Sequence, residues 1–277
     1  MRKEVRTICH DDDLSLEAYR FEGIVQPFPN HFHDDYVIGF VESGSRRLSC
    51  KNTEYTIGRG DILLFNPHDN HGCVQTDGGA LDYRGLNIPF SVMQALSGEI
   101  TGSRIPFGFS QNVVVDDELR GYLRSFHRMM MSGGETFEKE EALFVLMSML
   151  MERYGQPFSR RTPACRYEIE EICSVIEKHY AEHISLELLC QYSSLSKSTL
   201  LRAFTKYKGI TPYRYLQSVR ISKAKGLLET GMSPVEAALQ TGFTDQSHFT
   251  NFFRMYIGLS PAAYGRIFRE SQEPTKE

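Results

Sequence analysis

Between Asp34 and Val74 the apolar residues fall in short β-branched and aromatic runs, YVIGFV, RRLSC, EYTI and ILLF. Ser43-Gly44, Lys51-Asn52, Gly58, Gly60 and Asn66-Pro67 punctuate them. Short runs bounded by turn formers predict the strands of a β-sandwich or barrel. From Asp117 the period changes. Leu119, Tyr122, Leu123, Phe126, Met129 and Met130 recur at helical spacing, Gly133-Gly134 interrupts, and Leu143, Leu146, Met147, Leu150 and Tyr154 resume it. That spacing predicts two amphipathic helices. Residues 155–166, GQPFSRRTPACR, hold two Pro, a Gly and a basic cluster without periodicity, and predict a linker. Everything beyond reads as helix. The pattern therefore predicts an α+β chain of two domains: a β-barrel over 1–116, two helices over 117–154 suited to dimerisation, a linker over 155–166, an all-helical domain over 167–270, and a polar tail over 271–277.

The helical half contains an internal repeat. Shifting residues 185–215 by 49 positions superposes Glu187 on Glu236, Gln191 on Gln240, Ser198 on Ser247, Phe204 on Phe253, Tyr207 on Tyr256, Gly209 on Gly258, Pro212 on Pro261 and Tyr215 on Tyr264. Each copy reads as a short helix, a tight break at Ser193-Ser194 or Gly242, and a longer helix. Ser196, Ser233 and Thr244 or Asp245 are the expected N-caps, and Gly209 and Gly258 the expected stops. Two short helices joined by a tight turn form a helix-turn-helix, here in duplicate.

Charge sharpens this picture. The whole chain carries −4, but residues 1–162 carry −6 and residues 193–269 carry +8. A basic segment of that kind favours a polyanion, although a solvated basic face would look the same. In each long helix Leu200, Phe204 and Tyr207, or Phe249, Phe253 and Tyr256, form the apolar side. That turns Ser198, Thr199, Leu201, Arg202, Thr205 and Lys206 outward in the first copy, and Gln246, Ser247, Thr250, Asn251 and Arg254 in the second. Such side chains suit base edges in a major groove. Lys197, Lys208, Arg214, Lys223 and Lys225 suit phosphates, which position a protein without reading sequence. The expected partner is double-stranded promoter DNA; a helical packing domain with polar faces is the alternative.

The length of 277 residues fits two domains, and 41% hydrophobic with 24% charged residues is ordinary for soluble globular proteins. The longest nearly apolar stretch, Ala142 to Met151, is about half of what a bilayer span needs, so no membrane partner is expected. The N-terminal segment MRKEVRTICHDDDLS shows no secretory signal, and the six cysteines form no framework. A cytoplasmic protein with reduced thiols is expected.

G-I-T-P-x-x-Y-L-x-x-x-R-x-x-x-A (Gly209 to Ala224), G-F-x-D-x-S-x-F-x-x-x-F-R (Gly242 to Arg254) and G-L-S-P-x-x-Y (Gly258 to Tyr264) resemble the AraC/XylS family of bacterial transcription regulators. The resemblance implies a seven-helix domain in which residues 212–229 link two units that enter successive major grooves on one DNA face. Asn251 departs from it, because the family usually has Arg there. PNHFHDDYVIGFVESG followed by GRGDILLFNPHDNHG resembles the cupin-like effector barrel common in front of that domain.

Within the barrel the notable cluster is His31, His33, His68 and His71. Two His spaced by two on a strand share a face and can converge with a third. Three readings stay open: an organic-effector pocket of His31, His33, Tyr36, Arg46, His71 and Tyr83; a metal site; or structural histidines. Cupin metal sites are expected to carry Glu a few residues after the second His, where this chain has Tyr36, Val37 and Ile38. The expectation is therefore no metal and no cofactor. No nucleophile motif, phosphate loop or usable carboxylate pair appears, so no catalytic residue is assigned. The sequence reads as a DNA-binding transcription regulator controlled by a small-molecule effector, a homodimer that touches RNA polymerase. The alternatives are a metal-dependent cupin enzyme with an appended helical domain, or a regulator whose barrel only dimerises.

Overall fold

The computed structural model describes residues 4–76, 78–102, 107–133, 136–157 and 166–270. Apart from Phe28–His31, the chain forms an N-terminal unit to Arg160 and a C-terminal unit from Arg161. Phe28–His31 belongs to the C-terminal unit.

In chain order the strands to residue 88 are β1 (Val5–Asp11), β2 (Leu16–Ile24), β3 (Phe28–His31), β4 (Tyr36–Ser43), β5 (Arg46–Cys50), β6 (Thr53–Ile57), β7 (Ile62–Phe65), β8 (His71–Gln75) and β9 (Leu81–Ile88), all but β3 in the N-terminal unit. Then come α1 (Phe90–Thr101), β10 (Phe107–Phe109), β11 (Val113–Val114), α2 (Asp117–Ser132), α3 (Thr136–Tyr154) and β12 (Gly155–Pro157). In the N-terminal unit one sheet runs β1-β2-β9-β4-β7-β11, a second β8-β5-β6, and β10 pairs with β12. Lys51 and Asn52 both adopt positive φ, 48° and 64°, and close the β5–β6 hairpin between Cys50 and its partner Thr53. Two consecutive left-handed residues match the twist of the flanking strands.

Strand alternation decides which side of the larger sheet meets the helices. Tyr36, Ile38 and Phe40 of β4 share one core with Ile62 and Leu64 of β7 and Leu86 and Ile88 of β9. Leu119, Leu123, Phe126 and Met130 of α2 and Leu143, Leu146, Met147 and Leu150 of α3 pack into the same core. Each buried side chain of this size contributes about 1.5–3 kcal/mol, so the apolar stripes of α2 and α3 are largely used within the unit. Asp116 caps α2 by accepting from the Leu119 N–H, and also accepts from Arg153 and Tyr154 at the end of α3. Burial works against the Asp116 carboxylate, but these donors outweigh it and hold its pKa below the usual value. Lys139 of α3 is buried against Asp11 at 2.5 Å, with Asp13 at 3.8 Å.

Two features depart from the sequence reading. Helix α1 is absent from the sequence reading, although Val92, Met93, Leu96 and Ile100 fall at helical spacing; Met93 enters the core and the other three pack against it. The first part of the expected linker is strand: Gly155 pairs with Phe109 and Pro157 with Phe107. Gly155 is needed there because a Cβ would lie 2.3 Å from the Met151 carbonyl oxygen. Residues 158–165 of the linker and the tail 271–277 lie outside the described residues.

The C-terminal unit comprises α4 (Arg166–His179), α5 (Leu186–Ser193), α6 (Lys197–Lys208), α7 (Pro212–Glu229), α8 (Pro234–Gln240), α9 (Gln246–Ile257) and α10 (Pro261–Glu270). Ser185, Ser196, Thr211, Ser233 and Asp245 each accept a backbone N–H as N-caps, and Ser233 forms a capping box with Glu236. Gly209 and Gly258 stop α6 and α9 in the left-handed region. Helix α7 runs between the two copies with Tyr215, Val219, Ile221, Ala224 and Leu228 buried. Its Arg220 donates to the carbonyls of Tyr180 and Glu182, tying down the chain between α4 and α5.

Candidate DNA interface and barrel site

The two copies place their long helices alike. In α6, Leu200 and Phe204 are fully buried, and Tyr207 donates its hydroxyl to Glu170. In α9, Phe249 and Phe253 are fully buried, and Tyr256 lies against Phe252. The side turned outward carries Leu201, Arg202, Thr205 and Lys206 in α6 and Gln246, Ser247, Asn251 and Arg254 in α9, all exposed. Thr199 and Thr250 are half-buried at its edge, with the Thr199 hydroxyl 2.9 Å from that of Ser196. The side chain of Ser198 lies outside the described ones. The break before each long helix is a left-handed residue, Ser194 at 53° and Gly242 at 80°.

The expected phosphate contacts differ in how committed they are. Lys223 is exposed, with its ammonium 6.0 Å from the Tyr180 ring centre. Lys197 is paired with Glu187, an exposed pair that water and salt weaken. Lys208 lies over the rings of Tyr207 and Tyr215, 5.4 Å and 5.3 Å from their centres. Arg214 lies over Phe252 at 5.6 Å and 3.8 Å from the Met255 sulfur, so part of its guanidinium is used within the domain. Lys225 is 4.0 Å from Glu229.

The expected effector set is split by the structure. Tyr36 stands on the helix-covered side of β4, fully buried, donating to the Phe107 carbonyl at 2.7 Å and stacking on Phe90 and Phe107. Sequence proximity to His33 suggests a shared pocket, but strand alternation sends Tyr36 the other way. Arg46 is also a correction. It is fully buried, and its guanidinium donates to the carbonyls of Ser45, Gly79 and Ile24, a structural use. Tyr83 remains inside the barrel beside Tyr19, their rings 5.8 Å apart. Their hydroxyls sit over Gly39 and Gly85, where a Cβ would come within 1.9 Å and 2.3 Å. Burial raises both phenol pKa values, so both hydroxyls stay protonated. Tyr19 escapes the sequence reading because a Tyr in an alternating strand carries no signal distinguishing interior from core.

Two of the histidines, His33 and His71, meet in the barrel, whereas His31 belongs to the C-terminal unit, its ring 5.2 Å from that of Tyr256. The His33 and His71 rings are 5.3 Å apart, and His71 stacks on Phe65 at 4.0 Å. Burial lowers the His71 pKa to about 4, which keeps the ring neutral at pH 7. His68 stands apart, 5.3 Å from Phe32 with Nδ1 3.7 Å from Asp34.

Comparison with known proteins agrees with both halves of this architecture. The model of an AraC-like ligand binding domain matches residues 13–147, and that of a helix-turn-helix domain matches residues 189–267. The chain is 47% identical over 250 residues to the uncharacterized HTH-type transcriptional regulator YbfI of Bacillus subtilis (strain 168), covering 90% of each chain. It is 30% identical over 271 residues to the HTH-type transcriptional activator RhaS of Klebsiella pneumoniae (strain 342), covering 92% of this chain and 95% of that one. The fold is shared with wild-type ToxT from Vibrio cholerae strain SCE256, a structure with an unsaturated fatty acid bound, at 17% identity and a TM-score of 0.57, over 99% of this chain and 100% of that one. Among the described residues no helix is long and apolar enough to cross a membrane. With a sheet-rich ligand-binding domain ahead of a duplicated helix-turn-helix, and with relatives aligned along nearly its whole length, this chain belongs to the AraC family of transcriptional regulators.

Proposed function

We propose that this regulator reads promoter DNA with the outward faces of α6 and α9 while the barrel binds a small-molecule effector in the cytoplasm. The observation that carries the reading is the pair of equivalent exposed faces, each backed by the same buried aromatic pattern and set in the strongly basic stretch of the chain. Arg202, Lys206, Gln246, Ser247, Asn251 and Arg254 reach base edges; Lys197, Lys208, Arg214 and Lys223 neutralise phosphates. The reading assigns the chain no catalysis. Activation is the direction carried over from the RhaS relative, with RNA polymerase as the protein contacted.

Self-association uses the outer side of α2 and α3. A groove of about 570 Å³ there is floored by Tyr122, Phe126, Met129, Ala142 and Val145, and Phe137 and Phe144 are exposed nearby. A second copy laid on this side would link two DNA-binding domains and add avidity.

Footprinting of the full chain tests the DNA reading. Protection of two major-groove segments about 34 Å apart on one DNA face is expected, and one patch or none refutes it. Arg202→Ala should cost about 1–3 kcal/mol at particular base pairs, whereas Lys223→Ala should weaken all sequences alike and flatten the salt dependence. Identical behaviour of the two variants would remove this division of roles.

A further inference from the structure

Given that α6 and α9 read DNA as proposed above, we infer that they require different bases at equivalent steps of the operator. Arg202 of α6 selects guanine where Asn251 of α9 selects adenine, so the two half-sites are not copies of one sequence. The two helices are matched in everything except their outward chemistry. Both run for 12 residues, are capped by the residue before, Ser196 or Asp245, and stop at a left-handed glycine, Gly209 or Gly258. Both are held down at their fourth and eighth residues, Leu200 and Phe204 in α6 and Phe249 and Phe253 in α9, all fully buried. Arg202 and Asn251 are each the sixth residue, and both are exposed. A position fixed by the same caps and the same anchors faces the same step of its own major groove, and only the side chain differs.

Major-groove chemistry converts that difference into bases. A guanidinium donates two parallel hydrogen bonds to guanine O6 and N7, whereas a carboxamide donates to adenine N7 and accepts from its N6 amino group. The guanidinium carries no acceptor, so on adenine it loses one of its two bonds. The neighbouring side chains suit the two lengths. On α6, Leu201, Arg202 and Lys206 are all long and exposed, so this helix stands off and reaches the base edges through the guanidinium. On α9 the residues at those three positions are Thr250, half-buried, Asn251, and Met255, also half-buried. Ser247, one turn before Asn251, is short as well, and His248 lies against Phe243 and Phe252. A face of short side chains lets α9 approach closely enough for the Asn251 amide to reach a base.

The test is selection by the full-length chain from randomised duplex DNA at fixed salt, with the enriched sequences counted base by base. The parent should enrich two half-sites about one helical turn apart, with guanine at one position of the first and adenine at the corresponding position of the second. Competition binding should show a preference of about 5–140-fold for each of these bases. Asn251→Arg should change the adenine to guanine and leave the other half-site as it was, while Asn251→Gln keeps adenine. Arg202→Ala should lose the guanine alone. The half-site that each variant alters identifies the helix that reads it, and the unaltered half-site reports that the domain is folded. An adenine preference that survives Asn251→Arg, or the same base at both corresponding positions in the parent, overturns the base assignment and leaves the DNA reading standing. No enriched half-site at all overturns both.

Discussion

Replacing Gly242 by Ala tests how the second helix-turn-helix is held. Gly242 sits between α8 and α9 at φ 80°, where an L side chain costs about 1–2 kcal/mol. The added Cβ would also lie 2.6 Å from the Ala181 carbonyl oxygen and 2.9 Å from Arg220 Nη2. That loop cannot simply retreat, because Arg220 binds the carbonyls on either side, of Tyr180 and Glu182. Overpacking of this kind adds about 1–3 kcal/mol, for a total of about 2–5 kcal/mol. In a domain of this size the unfolding midpoint should fall by roughly 10–30 °C. Gly231→Ala is the control, since Gly231 has φ 88° and an added methyl would meet nothing within 4 Å. It carries only the left-handed cost, about 1–2 kcal/mol. Thermal unfolding of the full-length chain, followed through the transition of the C-terminal unit, compares the two. Equal losses would refute the argument that Ala181 and Arg220 enforce glycine at the turn. Gly242→Ala should also weaken DNA binding more than Gly231→Ala at a temperature where both remain folded, because only Gly242 sets the direction of α9.

His127, buried in α2 with Nε2 2.9 Å from the Tyr19 carbonyl oxygen, has its pKa lowered to about 4, chiefly by burial. The unfolded chain binds the proton near pH 6.5, so the stability held above that pH is lost as pH falls towards 4, by on the order of 3 kcal/mol. His127→Gln should flatten that part of the urea-unfolding profile, and an unchanged profile would show that His127 is not its source. Lys139→Ala leaves Asp11 buried without its cation and should cost about 3–5 kcal/mol. Lys139→Met combined with Asp11→Asn should recover most of that in urea unfolding; no recovery would mean that the cost is packing rather than charge.

The sequence by itself determined most of the C-terminal domain, because its signals are local. A cap, a left-handed glycine and an apolar stripe act within one or two turns of helix, and Ser196, Asp245, Gly209 and Gly258 stand where those rules put them. The repeat added the one long-range fact, that two such units exist, and with it the outward face. The strand content of the barrel was legible for the same reason, with Lys51-Asn52 among the breaks between runs; that it closes a hairpin came from the structure. What tertiary structure alone decided was which face of each strand met which neighbour. Both faces of β4 are buried, so alternation between polar and apolar residues is missing, and nothing local told Tyr36 from an interior residue. Arg46 looked like a ligand contact until the carbonyls of Ile24 and Gly79, distant in sequence, arrived to receive it. The linker reading failed at Gly155–Pro157 because strand pairing with Phe107–Phe109 spans almost fifty residues. The histidines show both sides: their spacing announced a cluster, but only the fold brought His71 to His33 and set Phe65 against it, while His68 stands apart beside Phe32.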